Sequence, residues 1–427
     1  MDKRISQLKD FLDSAHSTYH AVSALSWILE EAGYTYLSEQ EDWHLTPGGK
    51  YYLTKGGSSL IAFRIPYQKA VGFMISASHA DRPAFKVKEN GELAGTYTRL
   101  ATERYGGMIM GAWLDRPLSV AGRVMVETPD GIEGKLIDID RDLLLIPSVA
   151  IHMNRKVNEG YAWNPAVDTL PLLGDKEAHG KLRELLEQEA GGKILGHDLY
   201  LYVREKASVW GIDEAFLSGQ ALDDLECAWC CTRGFLDSVE SSAIPVLTVF
   251  DSEEIGSRSP QGAGSTLLED VLHRICRELG VQNTQMLNNT LMLSADNAHA
   301  VHPNHPEYAD AENAPVINGG IVLKYNADLR YATDGVSGAL LKKICRMAEV
   351  PVQTYYNRAD LPGGSTLGSI SLSHVSVPVA DVGLPQLAMH SCYETAGTTD
   401  VIYLQMAMRS FYSCAVEAVG DGAYRIL

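Results

Sequence analysis

Three apolar runs in this chain end on acids or a histidine: "MISASHAD" from Met74, "LTVFDSEE" from Leu247 and "LMLSAD" from Leu291. Each reads as a buried strand. Around them, after about residue 206, strands alternate with helices: "LDDLECAWCCTRGFLDSV" is helical, "IPVLTVF" a strand, "STLLEDVLHRICRELG" a helix, "TLMLSAD" and "GGIVLKYN" strands. "GVSGALLKKICRMAEV" follows as a helix, "VSVPVADVG" as a strand and "TDVIYLQMAMRSFYSCAVEAVG" as the last helix. That alternation predicts an α/β fold: a mixed, mostly parallel sheet sandwiched by helices. In such sheets ligands sit at the carboxyl ends of the strands. The polar endings of the three runs therefore mark the expected site.

The rest of the chain adds a second texture. Residues 2–33 read as one or two helices ending at Gly33, and "SSLIAFRI" as a strand. From about residue 89, short strands, glycines and a "PDG" turn indicate a β-rich module holding one helix, "DKEAHGKLRELLEQEAGG". The expected organisation is thus discontinuous: 1–88 with 206–427 as one domain, and 89–205 inserted into it. A length of 427 residues agrees with two domains. Within the "STLLEDVLHRICRELG" helix, Ser265 is the expected N-cap and Gly280 the residue past its end.

Charge and cysteine usage exclude some partners. A net charge of −18 opposes nucleic acid and anionic membranes. No apolar stretch approaches the roughly 20 residues of a membrane span. The N-terminal segment is amphipathic and carries acids, unlike a signal or transit peptide, so a reducing cytoplasm is the expected location. Seven cysteines are scattered. Cys227, Cys230 and Cys231 form a CxxC, but without a second such pair they read as small apolar residues on one helix face.

The strand endings supply His79, Asp81, Glu253, Glu254 and Asp296. "QALDDL" adds Asp223 and Asp224, and "LAMHSCYETAG" adds His390 and Glu394. The adjacent Glu253 and Glu254 repel one another, so something positive or a shared proton is needed there. Imidazoles mixed with carboxylates suit Zn²⁺, Mn²⁺ or Co²⁺ rather than an all-oxygen calcium cage. One acid after a strand is often only a helix cap. Several recurring at strand ends make a metal site the sharper reading.

In order, "SASHADRPAFKVK", "ALDDL", "DSEEIGS", "SADNAHAVHPNH", "GGSTLG" and "AMHSCYETAG" resemble the aspartyl aminopeptidase family, dinuclear zinc exopeptidases of metallopeptidase clan H. "IPSVAIHMNRKVN" and "VLKYNADLRYATDG" match further segments, and the resemblance runs from about residue 20 to 410. It implies two divalent ions per subunit, zinc first, with Co or Mn as alternatives. Asp223 would bridge them, His79 and Asp296 completing one site, Glu254 and His390 the other. Glu253 would be the general base, and Asp81 would orient His79. His152 would be supplied to the neighbouring subunit's active site, making the inserted domain a dimerisation domain. Lys324, Tyr331, Gly364 and Ser365 would line the substrate pocket, with His299 and His302 outside the metal shell.

The implied partners are peptide substrates and further copies of the chain: a homodimer, assembled into a tetrahedral homododecamer. The chain departs from the family pattern at Asp224, where asparagine is usual, at Ala80 and Arg82, and at His305, where an aromatic is usual. Asp224 would add negative charge near the metals. Lys324 and Arg82 suit an acidic N-terminal Asp or Glu, whereas neutral or basic residues are equally open. Rival readings are a carboxypeptidase or amide deacylase on the same metal pair, and a non-catalytic, metal-stabilised assembly protein. The latter has no need of a spare base such as Glu253.

Overall fold

The computed structural model describes residues 2–427. Its centre is a nine-stranded mixed sheet. Four adjacent strands run parallel in the middle, in the order Ala243–Phe250, Gly72–His79, Leu291–Ala295 and Val379–Gly383. Antiparallel neighbours flank them: Ser59–Arg64 on one side and Ile321–Lys324 on the other. Every residue of the four central strands is buried. Such strands have no solvated face, which is why their sequences read as continuous apolar runs.

Alternate residues feed two cores. Met74, Leu247, Val249, Leu291 and Leu293 pack on one face with helices Thr18–Glu31, Leu222–Asp237, Gly335–Met347 and Thr398–Tyr412. Phe73, Ile75, Ile244, Val246 and Met292 pack on the other with helix Leu267–Leu279. The α/β expectation is met.

A separate six-stranded antiparallel sheet runs in the order Gly131–Asp138, Leu118–Thr128, Ile194–Val203, Ala84–Leu93, Tyr97–Tyr105 and Leu172–Asp175. Helix Lys181–Ala190 closes over a core of its own. This sheet starts at Ala84, earlier than the change of texture at residue 89, because "AFKVK" continues straight on from the "SHADRP" segment.

Two local expectations are corrected. The N-cap of helix Leu267–Leu279 is Thr266, although the Ser265 hydroxyl still accepts the Leu267 amide at 3.3 Å. The last helix stops at Tyr412, and "VEAVG" forms a hairpin strand against Ala423–Ile426. All seven cysteines are buried and free. Cys227 donates to Asn297 Oδ1 at 3.0 Å, so the CxxC is core packing. Among the described residues no helix is long and apolar enough to cross a membrane.

Candidate metal centre

The parallel strands end together. Phe250 pairs with His79, and Ala295 with Val382, so the segments beyond them meet at one edge of the sheet. His79 closes its strand; Glu253 and Glu254 lie in the turn after Phe250; Asp296 follows Ala295. Gly383 lets the backbone of Asp296 lie against the next strand: a Cβ there would stand 1.9 Å from the Asp296 carbonyl oxygen. Asp223 comes from the start of helix Leu222–Asp237, where Asp223 and Asp224 leave helical geometry. His390 comes from the loop between Pro385–Leu387 and Glu394–Gly397.

The two oxygens of Asp223 face different imidazoles. Oδ1 is 3.6 Å from His79 Nε2, and Oδ2 is 3.4 Å from His390 Nε2. His390 Nε2 is also 3.4 Å from Glu254 Oε2. Donors about 2.0–2.1 Å from a tetrahedral zinc stand about 3.3 Å apart. These spacings therefore suit donors sharing a cation better than a tight hydrogen bond. Three groups bring their donor atoms within 4.8 Å of one another: His79–Asp223–Asp224–Asp296, His79–Glu253–Glu254 and Asp223–Glu254–His390.

The residues fit a cation on a second ground. Asp223 Oδ1 and Glu254 Oε1 are buried without a hydrogen-bond partner, a costly state for a carboxylate oxygen. Burial pushes the Glu253 carboxyl up to about 8 and that of Asp296 to about 6, and Glu254 is raised well above its ordinary value. Burial opposes charge on His79, but Asp223 and Asp81 outweigh it and hold the imidazole well above its usual range. Too many acids share too little water here to ionise together without added positive charge.

Three acids hold the backbone of this cluster, Asp81 and Glu394 from outside the donor groups and Asp224 from within the first. Asp81 Oδ1 accepts the Glu253 amide and Oδ2 the Glu254 amide, both at 3.1 Å, and the Tyr105 hydroxyl donates to Oδ2 at 2.9 Å. Its Oδ1 also lies 3.4 Å from His79 Nδ1. Asp224 Oδ2 accepts the His79 amide at 3.1 Å. Burial, against the pull of His79, raises the Asp224 carboxyl well above its ordinary value. Glu394 accepts the amides of Asp223 and His390.

The other singled-out residues are spread wider. Lys324 is buried, and its ammonium donates to the Asp296 carbonyl at 2.7 Å and the Asn297 carbonyl at 3.2 Å. Tyr331 is buried with its ring 5.1 Å from Lys324 Nζ. Arg82 donates to the Ala15 carbonyl. Gly364 lines a cavity of about 320 Å³ with His299, His302, His305, Tyr355 and Met389, and Ser365 is exposed next to it. His299 and His302 belong to none of the three donor groups. His152 is exposed in the second sheet's long loop and is likewise outside them. Sequence reasoning missed Tyr105, and it missed Asn297, whose amide donates to Leu222 O, Glu226 Oε2 and Gln386 Oε1. Asn297 follows Asp296 directly, which was the available signal; Tyr105 had none.

Comparison with known proteins places the chain in a family. The family described as "Aminopeptidase I zinc metalloprotease (M18)" matches residues 11–412. The probable M18 family aminopeptidase 2 of Clostridium acetobutylicum is 40% identical over 423 residues, covering 95% of this chain and 98% of that protein. Among solved structures, that of the Ape4 and Nbr1 complex superposes with a TM-score of 0.92 at 36% identity, covering 96% of this chain and 85% of that one. The S. cerevisiae mApe1 dodecamer does so with 0.84 at 28% identity, covering 96% of each. With nearly its whole length matched and a cluster of imidazoles and carboxylates at the strand ends, this chain belongs to the M18 family of zinc metalloproteases and is a metal-dependent aminopeptidase.

Proposed function

We propose that the chain cleaves N-terminal residues from peptides using two divalent cations, zinc first. His79, Asp296 and Asp223 would hold one; Glu254, His390 and Asp223 would hold the second. The observation that carries this reading is the placement of the two Asp223 oxygens, 3.6 and 3.4 Å from separate imidazoles. When bound, such a pair makes nearby water a stronger acid and the scissile carbonyl a better electrophile. Glu253 takes the proton from the attacking water and returns it to the leaving amine. Asp81 holds Glu253 for that task through its backbone amide at 3.1 Å.

His152 donates a hydrogen bond to the developing oxyanion of a neighbouring subunit. Its surroundings support an interface: Val149, Ile151, Met153 and Val167 in the same loop are all exposed. The six-stranded domain is then the dimerisation unit, and dimers assemble into a dodecamer like that of the mApe1 relative. A preference for Asp or Glu would rest on Lys324 and Arg82, with Tyr331, Gly364 and Ser365 lining the substrate pocket. Since Lys324 and Arg82 both donate to backbone carbonyls, side-chain choice is the part of this reading a substrate panel decides first.

The test pairs metal analysis with Glu253→Gln. Wild type should bind two equivalents of zinc and cleave aminoacyl p-nitroanilides; the variant should keep both equivalents and lose turnover about 10²–10⁴-fold. Full activity in the variant would refute the base assignment. Cleavage confined to N-blocked dipeptides would replace N-terminal cleavage by a carboxypeptidase or deacylase activity.

A further inference from the structure

We propose that Glu394 is a positioning residue for the cation pair, gripping the backbones of the shared donor Asp223 and of His390 at once; this rests on the two-cation reading above. Glu394 is 1% exposed. Its Oε2 accepts the Asp223 amide at 3.0 Å and its Oε1 accepts the His390 amide at 2.7 Å. Glu394 belongs to none of the three donor groups, so among the described residues its carboxylate serves the backbone rather than a cation. A buried acid is costly unless its oxygens are satisfied, and these two amides satisfy one oxygen each.

The sheet explains how one side chain reaches both segments. Glu394 pairs with Gly219 across antiparallel strands Phe216–Gly219 and Glu394–Gly397. One strand leads into the turn that carries Asp223, and the other leaves the loop that carries His390. Both turns need support. Ala221, Ala388 and His390 have φ of 53°, 56° and 66°, a region disfavoured for residues with side chains. A hydrogen bond from its backbone amide to a fixed carboxylate holds His390 in that conformation and sets where its imidazole points. Asp81 does the same for the Glu253–Glu254 turn. The two acids thus divide the work: Asp81 fixes one half of the cluster and Glu394 the other.

The grip depends on two oxygens at a given reach, which two variants separate from charge. Glu394→Gln keeps the length but leaves one amide facing an NH₂ donor. Glu394→Asp keeps the charge but is one methylene too short to span both amides. Zinc stoichiometry and affinity are measured by chelator competition, and ligand geometry by the visible spectrum of Co²⁺-loaded protein. Both variants should bind at least one zinc equivalent about 10- to 100-fold more weakly, with an altered Co²⁺ spectrum. If the Gln variant does not fold, as judged by circular dichroism, the Asp variant carries the test. Wild-type affinity and spectrum in Glu394→Asp would overturn the grip, even with Glu394→Gln impaired, because charge alone would then suffice. Wild-type protein that fails to take up two equivalents would overturn the two-cation reading itself, and the grip with it.

Discussion

Replacing Asp81 by asparagine tests how the site is held, because its carboxylate serves both halves of the Glu253–Glu254 turn. In wild type, Oδ1 takes the Glu253 amide, and Oδ2 takes the Glu254 amide and the Tyr105 hydroxyl. Asparagine has one acceptor oxygen. Placed at the Oδ2 position, it keeps the Glu254 and Tyr105 bonds, but its NH₂ then opposes the Glu253 amide. One charge-assisted bond is lost, about 1.5–3 kcal/mol. At about 1.4 kcal/mol per tenfold, that is roughly 10- to 100-fold. The loss should fall on kcat, since Glu253 is the displaced group, with a smaller fall in zinc affinity through Glu254. The assay is steady-state hydrolysis of an aminoacyl p-nitroanilide at saturating zinc, beside chelator competition on the same sample. Tyr105→Phe, which spares both amides, should cost less than Asp81→Asn. Equal kcat in Asp81→Asn and wild type would refute the idea that Asp81 holds the base, and would leave it its contacts with Glu254, Tyr105 and His79.

His152→Phe should keep wild-type zinc content while kcat falls about 10²–10³-fold, the usual worth of one oxyanion donor; unchanged turnover would discard the cross-subunit role. Gly383→Ala places a Cβ against the Asp296 backbone, so the chain should unfold at lower denaturant, by about 1–3 kcal/mol, and bind zinc more weakly; wild-type behaviour in both would show that the strand yields. In the second sheet, burial opposes ionisation of Asp198, but Lys86 and Arg123 outweigh it and lower its pKa. A lowered folded pKa gives stability that is present above the unfolded value of about 3.9 and lost as pH falls through the folded one. Asp198→Asn should therefore flatten the acid limb of a stability–pH curve below about pH 4, and an identical limb in both proteins would contradict this.

Much of the site was legible because burial leaves a local trace. A strand covered on both faces must be apolar throughout, so an acid or histidine at its end stands out; His79, Glu253, Glu254 and Asp296 were visible in this way. Asp223 and His390 lacked that frame, since one opens a helix and the other lies in a loop; residue type made them candidates, and the family resemblance gave them their roles. The Lys324 ammonium could be read as a solvated strand-end charge until the structure directed it to the Asp296 carbonyl. The last helix was overextended for a similar reason: "AVEAVG" is compatible with a helix, and its hairpin partner lies beyond it in the chain.

Residue type and local periodicity by themselves determined the layered α/β architecture, the β-rich insertion and which strand ends carry chemistry, because each depends on what a residue's near neighbours allow it to bury. Tertiary structure alone decided which backbone amides Asp81 and Glu394 hold. Their roles follow from amides 172, 173, 171 and 4 positions away, and no local pattern records contacts made across most of those intervals.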